Sequence, residues 1–200
     1  FSISWARLYP TGHEYNPSPD GVAYYDKVFR LVRKAGMRVF LTLTHYAMPI
    51  DLVLSDGGWL NRSTIDCYLR FAEFVFSRWG NYIDYYLPFN EINAGYFSPW
   101  NGVGLLKPED GPYDQSKVFQ SLHNQFVASA RVIQLQRRIA PDCKSGCMVA
   151  DFCYYANTPA PEDNLRLIKD EQINQWLAID VLGRGFYPSY TARFFDEHGI

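Results

Sequence analysis

No stretch of this chain stays apolar long enough to span a bilayer, and no tract is basic enough to grip a polyanion. With 19 Lys and Arg against 21 Asp and Glu, the formal net charge is -2. Neither nucleic acid nor an anionic membrane is therefore an implied partner. Neither G-x-G-x-x-G nor G-x-x-x-x-G-K-[ST] occurs, which counts against a nucleotide-binding sheet. Cysteine is scarce. Cys67, Cys143, Cys147 and Cys153 are spaced C-x3-C and C-x5-C across the last three, which is not the spacing of zinc pairs. Free, mostly buried thiols in a reducing compartment are expected instead. Phe1-Ser-Ile-Ser-Trp5 has no positive n-region and does not begin with Met, so no signal peptide is read there. The expectation is a cytoplasmic protein of which residues 1–200 are one domain, and the start suggests a chain lying inside a larger protein. No linker, low-complexity tract or repeat divides them.

What is present is apolar and aromatic: 48% and 17% of residues, enough for a sizeable core. Phe1, Ile3 and Trp5 alternate with serines as in a strand. Asp20 is placed to cap a helix with an apolar face of Val22, Tyr25, Val28, Phe29 and Val32, closed by Gly36. A strand over 38–45 follows. Ser63 and Asp66 suggest a capping box for a helix ending at Gly80. A strand then ends at Asn90-Glu91, a long loop spans 93–114, and a helix runs from 115 to 140. A strand over 144–151 and helices over 163–182 and 189–198 complete the chain. Strand followed by helix, four times over, argues for a parallel α/β sheet with right-handed crossovers. An open doubly wound sheet and half of a (β/α)8 barrel both fit, and polar residues at successive strand ends favour the barrel.

Glu91 is the focus. A carboxylate at the end of a buried strand is costly unless it is paired or used. Capping the strand-to-loop junction is its ordinary alternative. His45 should lie beside it if the two strands are neighbours, where a neutral imidazole would hydrogen-bond a substrate hydroxyl. Metal binding would need further ligands, and only Glu91 and Asp151 are at hand. Asn90 and Glu91 can both reach one site only if the strand end is irregular, because successive strand residues point to opposite faces. Arg7 could hold a carboxylate ionised, with a surface ion pair as its commoner fate. Tyr46 and Tyr154, with Trp5, Trp59, Trp100 and Tyr155, are aromatics near strand ends, some of which would rim a mouth while most would be core. A polar, aromatic-rimmed mouth with one well-placed Glu suggests sugar chemistry. Glycoside hydrolysis needs a second carboxylate. Asp151 is the only candidate, and a strand-end residue receiving a loop N–H explains it better.

Phe1-Ser-Ile-Ser-Trp-Ala-Arg-Leu-Tyr-Pro10, Leu41-Thr-Leu-Thr-His45, Gly57-Gly-Trp59 and Pro88-Phe-Asn-Glu-Ile92 resemble glycoside hydrolase family 1 in order and spacing. His45-Tyr-Ala-Met-Pro49, Asn90-Glu-Ile-Asn93, Gly146-Cys-Met148 and Gly183-Arg-Gly-Phe-Tyr-Pro188 look most like its bacterial 6-phospho-β-glucosidases. The resemblance implies a (β/α)8 TIM barrel, of which this chain covers about strands 2 to 5, with retaining chemistry and no cofactor. It implies Glu91 as acid/base, Asn90 and His45 as substrate-binding residues, and Arg7 as support for the nucleophile, with Tyr46 and Tyr154 kept from the residue reading as candidate mouth aromatics. The implied partner is a small β-glycoside carrying a 6-phosphate, and a homo-oligomer stays open. Ala47 stands where the subgroup commonly has Glu, and Tyr46 where other members have Trp. The nucleophile and the phosphate-binding loop are expected outside these residues, so the 200 residues alone are expected to be inactive. Two alternatives stand beside this. One is a β-glucosidase or β-galactosidase of unphosphorylated sugars, and the other an inactive half-barrel remnant or sugar-binding fragment.

Overall fold

The computed structural model describes residues 1–200. Phe1–Ile3 runs alongside Thr42 through one parallel bridge at Ser2, with Ile3 N–H donating to Thr42 O (3.1 Å) and Thr42 N–H to Phe1 O (3.0 Å). The expected strand does not reach Trp5, because Ser4 Oγ accepts the Arg7 N–H (3.2 Å) and opens a single helical turn, α1 (Trp5–Leu8). Helix α2 (Pro19–Lys34) is capped by Ser18, whose Oγ accepts the Gly21 N–H. Pro19 fits the first helical position, and Asp20 falls in the first turn rather than at the cap. Gly36, at φ 70°, ends the helix as expected.

Strand β1 (Phe40–Thr44) buries Leu41 and Leu43 and leaves Phe40 exposed, the two-residue period of a pleated strand. A short helix, α3 (Ile50–Leu54), follows. Helix α4 (Thr64–Trp79) starts without the anticipated capping box. Ser63 is itself helical and donates its N–H and hydroxyl to Asn61 Oδ1 (3.0 and 2.9 Å), while Asp66 turns outward to Arg131 (3.0 Å). Strand β2 (Tyr85–Phe89) leads into two single-turn helices, α5 (Ala94–Phe97) and α6 (Pro99–Val103), within what the sequence suggested was loop. Asp114 caps α7 (Gln115–Ile139) by accepting the Ser116 N–H (2.9 Å). Strand β3 spans only Lys144–Ser145, although Gly146 N–H to Tyr86 O (2.9 Å) and Ile92 N–H to Met148 O (3.1 Å) keep the chain beside β2 for longer. Helix α8 (Pro161–Glu171) passes through a π turn (Gln172–Trp176) into α9 (Leu177–Arg184), and α10 (Ser189–His198) comes last.

All three strands are parallel and their order is β1-β2-β3, with Phe1–Ile3 on the outer side of β1. A doubly wound sheet reverses its order at a switch point. Here spatial order follows chain order throughout, as in the wall of a barrel. Helices α4 and α7 cover the sheet. Between them Trp5, Trp59, Tyr68, Phe71 and Phe89 interlock with ring centroids 5.0–6.2 Å apart. Burying each such ring contributes roughly 1.5–3 kcal/mol. The Tyr68 hydroxyl donates to Pro88 O (2.5 Å), so this cluster grips β2 just before its carboxyl end. The thiols divide evenly. Cys67 and Cys143 are buried, and burial pushes the Cys143 thiol up to about 11. Cys147 and Cys153 are exposed, contrary to the expectation of mostly buried thiols, because they lie in the segment after β3, which is the open edge of the sheet.

Candidate active site

Strands β1 and β2 end level with each other. Thr44 pairs with Phe89, and the Asn90 N–H donates to Thr44 O (2.9 Å). His45 and Tyr46 therefore emerge beside Asn90 and Glu91 at the carboxyl rim of the sheet, where parallel α/β proteins place their chemistry. The rim is irregular in the way the double use of Asn90 and Glu91 requires. Tyr46 (φ 65°) and Glu91 (φ 39°) are the two non-glycine residues with positive φ, one at each strand end. A left-handed residue of this kind costs on the order of 1–3 kcal/mol and persists only where its surroundings impose it. Here the paired turns aim two side chains at each other, and the Tyr46 hydroxyl donates to Glu91 Oε2. Asn90 is buried and Glu91 partly so. His45 is exposed, with Nδ1 3.3 Å from Ser2 Oγ and its ring edge-on to Tyr46.

A cleft opens beside this pair, lined by His45, Tyr46, Met48, Val53, Trp100 and Gly104. Gly104 is required there: it sits at φ 64°, and a Cβ would lie 2.8 Å from Met48 Sδ. Two anticipated residues are not gathered at this rim. Arg7 is exposed, and its guanidinium lies 4.5 Å from the centroid of the Tyr24 ring on α2. The turn of α1, which begins at Trp5 where alternation read the strand's end, carries Arg7 against α2. Tyr154 stacks on Phe152 (5.7 Å), which meets Phe97 edge-on (5.0 Å), so its ring partner is the segment after β3 rather than the Tyr46–Glu91 pair. Asp151 is exposed. No three His, Cys, Asp or Glu side chains come together as a metal-ligand set.

Two residues that sequence reasoning passed over are built into the site. Asn93 and Gln175 are buried amides that tie the chain beyond Glu91 to the segment 150–152 and to the π turn. A polar residue two positions after a candidate catalytic Glu was the available signal for Asn93. Nothing local marks Gln175.

The glycosyl hydrolase family 1 profile matches residues 1–200, the full length of the chain. The chain belongs to glycosyl hydrolase family 1. Within the family it is 42% identical over 200 residues to a 6-phospho-beta-glucosidase of Dickeya chrysanthemi and 38% identical over 199 residues to the aryl-phospho-beta-D-glucosidase BglH of Bacillus subtilis. Each alignment covers 100% of this chain and 42% of the relative, so these family 1 residues span well under half the length of the curated relatives. Among solved structures, a beta-glucosidase from Thermotoga maritima in complex with glucoimidazole superposes with a TM-score of 0.86 at 26% identity, over 99% of this chain and 44% of that one. The sheet is thus part of a family 1 (β/α)8 barrel, the closure that the strand order already indicated. No helix is long and apolar enough to cross a membrane.

Proposed function

We propose that the protein containing these residues is a retaining glycosidase that cleaves 6-phospho-β-glucosides, with Glu91 as its acid/base. The observation that carries this reading is the placement of Glu91. It is a partly buried carboxylate turned by a left-handed backbone at the end of β2, facing a tyrosine hydroxyl and flanked by a buried amide and an imidazole. In this role Glu91 donates its proton to the glycosidic oxygen as the bond to the anomeric carbon breaks. A carboxylate nucleophile, supplied from outside these residues, takes that carbon. Glu91 then removes a proton from the water that releases the sugar. Asn90 and His45 offer an amide and an imidazole to sugar hydroxyls.

The 6-phosphate preference is supported by the names of the relatives, at 42% and 38% identity along the whole chain. Phosphorylated sugars are held inside the cell, so a cytoplasmic location goes with it. Residues 1–200 are in this reading one truncated domain, inactive alone, because no second carboxylate joins Glu91 at the rim. The T. maritima likeness favours the second reading, a glucosidase of unphosphorylated sugar.

An assay of the intact protein with nitrophenyl β-glucoside, with and without a 6-phosphate, separates the two. Strong preference for the phosphorylated substrate is expected. Equal or better turnover of the plain sugar would move the assignment to the second reading, and turnover of neither would leave a remnant or sugar binder.

A further inference from the structure

Asn93 stands at the cap position of α5, where an Asn side chain ordinarily accepts an N–H of the first helical turn. It caps nothing. Its amide is instead turned away from the helix, almost fully buried, and used at both ends. Nδ2 donates to Ala150 O (2.9 Å) and to Asn174 O (2.6 Å), and Oδ1 accepts the Ala150 N–H (2.8 Å). The last main-chain bond between β2 and its neighbour is Ile92 N–H to Met148 O. One residue further on, the Asn93 side chain takes over, giving Ala150 both a donor and an acceptor as a strand backbone would. Gln175 continues the pattern, with Oε1 accepting the Phe152 N–H (2.6 Å). Asn174 and Gln175 both belong to the π turn that interrupts the run from α8 to α9. A π turn carries one more residue per hydrogen-bonded ring than an α turn, and such turns concentrate at functional sites.

These bonds fix the two residues that follow Glu91. The turn is short: the Ala94 N–H closes back on Glu91 O (2.7 Å) and the Gly95 N–H on Ile92 O (3.3 Å). A residue held at φ 39° relaxes unless both of its flanks are pinned. The Asn90 N–H pins one flank to Thr44, and the Asn93 amide pins the other. We propose that Asn93, with the π turn as its anchor, is a positioning residue for Glu91: it holds the strand-end turn that aims the carboxylate. The part of this that concerns turnover rests on the acid/base reading of Glu91. The part that concerns geometry does not.

The test uses the intact protein and two variants, Asn93→Ala and Asn93→Ser. Ser keeps an acceptor for the Ala150 N–H but cannot donate twice. Turnover is measured on an aryl 6-phospho-β-glucoside with a poor leaving group, phenol. On one with a very good leaving group, dinitrophenol, which departs without a proton, the first step alone is measured as the pre-steady-state burst, because the second step uses Glu91 as base. A misaimed acid is expected to lower kcat on the phenyl substrate by about tenfold or more, with the Ser variant less affected than Ala, and to change dinitrophenol release by less than about threefold. Equal loss on both substrates, or loss on neither, overturns the proposal, since general loosening of the fold does not discriminate between leaving groups. Where Asn93→Ala does not fold, Asn93→Ser carries the same comparison. Should the wild-type protein hydrolyse neither substrate, the glycosidase reading has failed, and crystal structures of the wild type and Asn93→Ser decide the positioning claim. Departure of the Glu91 carboxylate from the Tyr46 hydroxyl is expected, and an unmoved Glu91 overturns the claim.

Discussion

Asp84 and Glu91 bracket one strand, the first directly before β2 and the second just after it. At the amino end, the Asp84 carboxylate accepts the Val39 N–H (2.8 Å) and Arg38 Nε (3.3 Å), and its main chain bonds Val39 O and the Lys144 N–H (3.0 Å each). Arg38 also lies over the Tyr85 ring. Every group there is committed to holding three neighbouring chain segments in register. The Val39 N–H, followed by Arg38, keeps the Asp84 carboxyl below the usual carboxylate range. At the carboxyl end, Glu91 has one partner, the Tyr46 hydroxyl, on a backbone held in the left-handed region. Two acids on one strand thus serve opposite ends: one closes the sheet's hydrogen bonding, and the other is kept with lone pairs to spare at the face where barrels bind substrate.

The sharpest way to break this contrast is to exchange the charges for amides. In the intact protein Glu91→Gln is expected to cut hydrolysis of poor leaving groups by roughly 10²–10⁴-fold while sparing the first step for very good ones. Thermal stability should hold. Equal loss on both kinds of substrate would remove the acid role. Asp84→Asn is expected to do the reverse, lowering stability by about 1 kcal/mol through the weakened, partly solvated bonds to Val39 and Arg38 and leaving kcat unchanged. A well-folded Asp84→Asn protein that has lost turnover would end the division of labour between the two ends.

Tyr46→Phe removes one hydroxyl partner from Glu91 and should cost about fivefold in turnover, on the order of 1 kcal/mol, visible in kcat rather than in melting temperature. The smallest effect is in acid. A carboxyl whose folded-state pKa is depressed contributes stability above its unfolded value, near 4, and loses that contribution as pH falls through the folded one. Acid denaturation of the wild type should therefore include a component below about pH 4 that is absent from Asp84→Asn, measured as stability against pH for the two proteins.

Much of this frame was legible in the residues. Hydrophobic period located β1, β2, α2, α4 and α7 to within a few positions, because each buries a face wide enough to repeat. The barrel could be preferred over a doubly wound sheet from the polar residues ending successive strands, and the parallel order in chain sequence bore that out. The strand end at Asn90-Glu91 stood out in the residues, and the irregular backbone it would need is present at Glu91. Caps were not. Ser18 rather than Asp20 closes α2, and Asn61 rather than Ser63 serves α4, because either residue type can cap and only the local φ and ψ decide which one does. A related reason applies to the first strand: alternation in Phe1–Trp5 read as strand, and one serine cap converted its end to a helical turn. The Asn93–Gln175 amides were invisible because their partners lie 57, 81 and 23 residues away, and nothing in a local window reports them.

That separation has a consequence in time. Synthesis delivers roughly 5–20 residues per second, and each strand needs only its predecessor to pair, so the sheet can grow as the chain emerges. The Asn93 amide must wait for Asn174, 81 residues later, which at that rate is about 4–16 s. The scaffold of the half-barrel can therefore exist well before the turn that carries Glu91 is pinned, and the nascent chain passes through a folded but unset state at the carboxyl rim of its sheet.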